Sequence, residues 1–184
     1  MTRRDELADG ACDYVLERGL IGLSLRPLAA ALGTSDRMLL YHFGTREALI
    51  AEVLRRSADR SVAALQALPV ESDVAAGVQT LWQAHRQGTL DRCQRVYAQA
   101  AAQGLLGHDE LASPVADANA AWLSALADYL GQCGAAPDSA ERCARFVDVA
   151  VMGLHLDVIV EPEPDLQTVV DDVAAAAQAL GSPR

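Results

Sequence analysis

Apolar residues return every three to four positions along most of the chain, which is the spacing of helices with one buried face. From Arg4 to Arg18 they fall at Leu7, Ala8, Ala11, Val15 and Leu16, and Gly19 follows as a C-cap. Ser24 is placed to N-cap a short helix with Pro27 in its first turn. Its buried face is Leu25, Leu28, Ala29 and Leu32, and Gly33 ends it. Thr34-Ser35 caps a second short segment, Asp36 to His42. Thr45 caps a longer helix with Glu47 in its first turn, on a stripe of Ala48, Leu49, Glu52, Val53, Leu65 and Leu68 that runs to Pro69.

The remaining helices are longer. Residues 72–88 align Val74, Val78, Leu81, Trp82 and His85; residues 91–104 align Cys93, Val96, Tyr97 and Ala100. Ser113-Pro114 reads as an N-cap with proline at the first helical position, opening a helix to Cys133. Asp138 with Glu141 resembles a capping box. The helix after it is apolar nearly all round from Phe146 to Val160, which predicts burial on several sides. Residues 161–164 break the chain, and Leu166, Val169, Val170, Val173, Ala177 and Leu180 form the last stripe. No stretch alternates as a β-strand does, so the expected fold is all-α with about nine helices.

Composition supports this. Of 184 residues, 51% are hydrophobic but only 4% aromatic, and the apolar content is mainly Ala and Leu. No apolar run approaches the roughly 20 residues of a membrane helix. The N-terminus turns acidic at once without an apolar export signal, so the expected location is the cytoplasm, with four reduced thiols. The net charge is −10, unevenly spread. Residues 1–60 hold nine of the fifteen basic residues, all Arg, against nine acids; the rest hold six against sixteen. A neutral, Arg-rich head on an acidic body is compatible with nucleic-acid binding, where a uniformly acidic protein is not.

Two short helices joined by a tight Gly-containing turn have the dimensions of a helix-turn-helix. The stretch Ser24 to Leu49, and above all Tyr41-His42-Phe43 followed by Thr45-Arg46-Glu47-Ala48-Leu49, resembles the TetR family of bacterial transcriptional regulators. The resemblance covers about the first 55 residues. It implies a DNA-binding head over 1–48 and a helical ligand-binding and dimerisation body over 49–184. It also implies roles residue by residue. Ser24 and Arg26 would reach phosphate; Ser35, Asp36, Arg37 and Met38 form the base-reading end of the recognition helix; Tyr41, His42 and Arg46 would contact phosphates. Arg37 is the best candidate for direct readout, through guanine O6 and N7. Asp36 could cap the helix, pair with Arg37 or accept from cytosine N4. Leu40 replaces a frequent Tyr of the family, and the operator should differ accordingly.

In the body, Trp82, His85, Tyr97, Asn119, Trp122, Tyr129, Phe146, Met152 and His155 are the candidate ligand residues, with sparse polar groups among apolar walls. Each taken alone is more simply read as core. Asp148 and Asp157 would suit a cationic ligand if they face inward. The last two helices, about 138–160 and 165–180, are the dimerisation candidates. The resemblance implies a homodimeric repressor released from a palindromic DNA operator by a small apolar or aromatic effector. No enzyme signature is present, the four His have no metal spacing, and neither catalytic residues nor a cofactor is expected. The alternatives are a thiol-based redox sensor using Cys133 and Cys143, and a ligand-binding dimer that has lost DNA binding.

Overall fold

The computed structural model describes residues 2–158 and 163–183, the side chains of 163–165 excepted. The fold is all-α, with nine helices and no strand among the described residues. They are α1 (Arg3–Arg18), α2 (Leu25–Ala31), α3 (Asp36–Phe43), α4 (Arg46–Gln66), α5 (Val74–His85), α6 (Gly88–Leu105), α7 (Ala112–Gln132), α8 (Ala140–Asp157) and α9 (Glu163–Gly181). A single 3-10 turn, Asp109–Leu111, precedes α7.

Several helix ends follow the side chains that cap them. Thr2 and Asp5 close a reciprocal capping box on α1. Ser35 accepts from the Met38 N–H at the start of α3, and Thr45 from the Ala48 N–H at the start of α4. Asp73 does the same for Ala76 on α5. Three expected starts differ. Ser24 stands at the N-cap of α2 but makes no side-chain cap bond. α7 opens at Ala112, so Ser113 and Pro114 lie inside its first turn, where a missing N–H costs nothing. At α8 the residue in the cap position is Ser139, not Asp138, and its hydroxyl turns away to the carbonyls of Ala136 and Gly181. The apolar tail of that helix at 159–160 and the break at 161–162 lie outside the described residues.

The chain forms two compact units. The first takes residues 1–61 and 92–119, the second residues 62–91 and 120–184, so α4, α6 and α7 each begin in one unit and end in the other. The first unit's core joins Leu7, Ala11 and Val15 of α1, Leu28 of α2, Leu39 and Phe43 of α3, Leu49 and Val53 of α4, and Val96 and Ala100 of α6. The second unit's core joins Leu65, Val78, Leu81, Trp82, Leu126, Leu130, Val147, Val151, Val170 and Ala177. Here α9 packs along α5 and α8. The all-round apolarity of α8 is only partly spent: Val149 is 67% and Leu156 56% exposed, as is Val169 of α9 at 46%.

Ion pairs stitch α1 to α4. Arg56 donates to Asp5, Asp9 and Glu52, and Arg60 to Asp13. Glu52, placed on the apolar stripe, is thereby accommodated: its carboxylate accepts from both Arg55 and Arg56. Those bonds, Arg55's foremost, hold its carboxyl below the ordinary value of 4.5. A carboxyl with a lowered folded pKa stabilises the fold above the unfolded value, and the benefit fades as pH falls through the folded value. Thermal melting of the protein should therefore drop as pH decreases below about 4.5. Glu52→Gln should show a lower melting temperature at pH 7 and a shallower decline in acid, measured by circular dichroism from pH 3 to 7; equal slopes would exclude Glu52 as a contributor.

Candidate DNA-binding head and effector core

The first unit presents a helix-turn-helix. Leu32 ends α2, Gly33 turns the chain at φ +62°, and the Thr34 N–H bonds back to the Ala29 carbonyl. Ala29 is buried against this turn, and Leu39 and Phe43 seat α3 in the core. The opposite face of α3 is open: Asp36, Arg37, Met38, Leu40 and Tyr41 are exposed, Tyr41 to 78%. Ser24 and Arg26 of α2 and Ser35 are exposed as well, and His42 is half-buried with its ring edge-on to Tyr41 at 5.2 Å.

Two of the expected DNA contacts already have partners. Asp36 is not the cap of α3; Ser35 is, and the Asp36 carboxylate accepts from the Arg37 N–H at 2.8 Å. Arg46 directs Nε and Nη2 to the Leu23 carbonyl at 3.1 and 3.0 Å, which uses its fork on the segment before α2. Arg26 and Arg37 are the exposed cations of α2 and α3.

In the second unit a polar cluster is set in an apolar interior. Trp122 of α7 donates Nε1–H to Asp148 of α8 at 2.9 Å, and its ring meets that of His85 of α5 edge-on at 5.6 Å. His85 is 2% exposed, and burial pushes it down to about 4, so it is neutral at pH 7. Its Nδ1 lies 3.0 Å from the Leu81 carbonyl. A carbonyl only accepts, so Nδ1 carries the proton and Nε2 is left as an acceptor. His155 of α8 faces Asp91 at 3.9 Å. Burial raises the Asp148 carboxyl, with the Trp122 bond and nearby Arg145 acting against that shift. Asp148 therefore faces inward, whereas Asp157 is exposed.

The nine candidate ligand residues are drawn from both units. Trp82, His85, Trp122, Tyr129 and Phe146 share one core, and His155 and Met152 lie half-buried on α8. Tyr129 is a satisfied core residue whose hydroxyl donates to the Pro69 carbonyl at 3.2 Å and to Gly77 at 3.4 Å. Tyr97 and Asn119 are half-buried in the first unit. A surface groove of about 850 Å³ runs between α7 and α8, bounded by Leu123, Ala127, Gly131, Ala140, Glu141 and Arg145; none of the nine lines it. Sequence reasoning missed Gln99, whose side chain reaches back to the residues after α1. A single amide on a polar face gives no periodic signal.

All four cysteines are buried and free. Burial pushes Cys12 up to about 11 and raises Cys93 and Cys143, which disfavours the reactive thiolate. Cys143 donates to the Ala177 carbonyl at 3.4 Å. Among the described residues there is no cluster fit to hold a metal ion, and no helix is long and apolar enough to cross a membrane.

Comparison with known proteins agrees with this arrangement. Residues 7–53 match the family model for bacterial regulatory proteins of the tetR family. No curated protein matches the sequence. Among solved structures, a transcriptional regulator from Rhodococcus sp. Rha1 is 25% identical, with 96% of each chain covered and a TM-score of 0.74. A TetR-family transcriptional regulator from Rhodococcus sp. is 22% identical over 98% of each chain, with a TM-score of 0.72. The multidrug binding protein EbrR, in complex with ethidium, is 20% identical over 99% of this chain and 100% of its own, with a TM-score of 0.73. Residues 7–53, which hold the helix-turn-helix, are thus those of the tetR family of bacterial regulatory proteins, and the chain as a whole shares the fold of these solved transcriptional regulators.

Proposed function

We propose that the protein is a homodimeric repressor that leaves a palindromic operator when a small aromatic effector enters its body. The functional division is residues 1–48 for DNA and 49–184 for effector and dimer. The reading is of a cytoplasmic regulator, not an enzyme. It is carried by one observation: α3 buries Leu39 and Phe43 and turns Arg37, Met38 and Tyr41 outward beside exposed Arg26. A second helix with an open N-terminal face is what a major groove accepts. Ser35 caps that helix, which leaves Asp36 and Arg37 as the first side chains to meet base edges. The burial of Cys133 and Cys143, and the raised pKa of Cys143, count against the redox alternative.

Selection from a random DNA pool should enrich a palindrome whose affinity falls with salt, about 0.9 log units per log unit for each phosphate neutralised. Arg37→Ala should cost about 1–3 kcal/mol on that duplex and relax the preference at one base pair per half-site. A salt-independent affinity, or no enrichment after ligand is stripped by refolding, would leave the body alone functional.

The dimer seam is assigned to α8 and α9, where Val149, Leu156 and Val169 are exposed. Burying such side chains is worth about 1.5–3 kcal/mol each. Sedimentation should give twice the chain mass of 19.5 kDa, and Val149→Glu should shift the protein to monomer. An unaltered dimer would remove α8 from the seam.

The effector reading takes support from EbrR, whose solved complexes hold proflavin and ethidium, both planar aromatic cations. The observation in this chain that favours a cation is Asp148, turned inward onto Trp122. Asp148→Asn keeps an acceptor for the Trp122 N–H and removes the charge. Calorimetry without DNA should show proflavin binding weakened about tenfold by this change, equivalent to about 1.4 kcal/mol, with uncharged acridine little affected. Equal losses for both would point to an uncharged effector.

A further inference from the structure

The segment between α1 and α2 has backbone groups that no helix satisfies. Gly19, at φ +86°, ends α1 and returns its own N–H to the Val15 carbonyl. The next two N–H groups, of Leu20 and Ile21, point to a single atom: Gln99 Oε1 accepts both, at 2.7 and 3.0 Å. At the other end of the segment the Leu23 carbonyl accepts from Arg46. The four residues that lead into α2 are thus gripped from α6 and from α4.

The grip is close-fitting. A Cβ at position 19 would meet Gln99 Oε1 at 3.0 Å and Nε2 at 3.3 Å, so the amide lies flat on the glycine. Leu20 is 1% exposed, and its N–H is therefore costly to leave without an acceptor. The stretch of α6 that carries Gln99 is fixed by Val96 and Ala100, both buried in the first unit's core. In contrast α2 has seven residues and no side-chain cap. A helix that short does not hold itself, and its placement follows the residues that enter it.

We propose that Gln99 is a positioning residue for DNA binding: its carbonyl oxygen sets the turn from which α2 starts, and with it the placement of Ser24 and Arg26 on the operator. Gln99 touches no DNA in this scheme. It acts by removing the freedom of the Leu20–Leu23 segment, so that the ordering is done before the operator is met. The proposal rests on the reading of the chain as an operator-binding protein.

The test uses the full chain as Gln99→Met, which keeps the volume and loses the oxygen, and Gln99→Glu, which keeps an acceptor for both N–H groups. Hydrogen exchange followed by NMR should show the Leu20 and Ile21 amides exchanging about tenfold faster or more in Gln99→Met and near the original rate in Gln99→Glu. Affinity for the selected operator should fall about tenfold in Gln99→Met, with affinity for unrelated DNA within about twofold, and Gln99→Glu should restore it. Unchanged exchange in Gln99→Met overturns the proposal, as does faster exchange with unchanged operator affinity. An unfolded Gln99→Met would also overturn it, making Gln99 a residue of the fold instead. Failure of the unaltered protein to select any operator would overturn the DNA-binding reading, while the exchange rates still decide whether Gln99 holds the turn.

Discussion

Helices of seven and eight residues are too short to persist alone in water. Everything the helix-turn-helix can present therefore depends on the packing that holds α2 and α3 in place. That packing is Leu28 and Ala29 from one and Leu39 and Phe43 from the other, closed over by α1, α4 and α6. The faces left open carry Arg26, Arg37, Met38 and Tyr41. The division between seat and open face follows from helical periodicity once the core is fixed: Leu39 and Phe43 are one turn apart, and Arg37 and Tyr41 fall on the far side.

The same requirement explains where the arginines of the head go. An Arg-rich head invites the reading that its charge is for DNA. Much of it is structural. Arg56 and Arg60 join α4 to the acids of α1, Arg55 and Arg56 neutralise Glu52, and Arg46 holds the Leu23 carbonyl. These are ties between long helices and a short segment, made with a fork that satisfies several acceptors at once. Arg26 and Arg37 are exposed and stand outside these ties.

The second unit solves a different problem, that of polar groups among apolar helices. His85 stays neutral and keeps one nitrogen as an acceptor; Asp148 turns its carboxylate to an indole N–H. Polar groups taken out of water, His85 almost wholly and Asp148 in part, are expensive to leave without partners. The Trp122 ring, tied to Asp148, also meets the His85 ring edge-on.

The helical class, most helix limits and the helix-turn-helix were legible without coordinates, because they follow from apolar spacing of 3.6 residues and from local capping and glycine chemistry. The run Tyr41 to Leu49 carried the family resemblance, and the exposed side chains of α3 were legible because a short helix with one buried face leaves the other open. The pairings across long separation came only with helix packing: Gln99 on Leu20, Arg46 on Leu23, Arg56 on Asp5 and Asp9, Trp122 on Asp148. It also turned Asp148 in and Asp157 out. The physical reason is that local propensity acts over a few residues, whereas the partner of a polar side chain is set by which helix packs beside it.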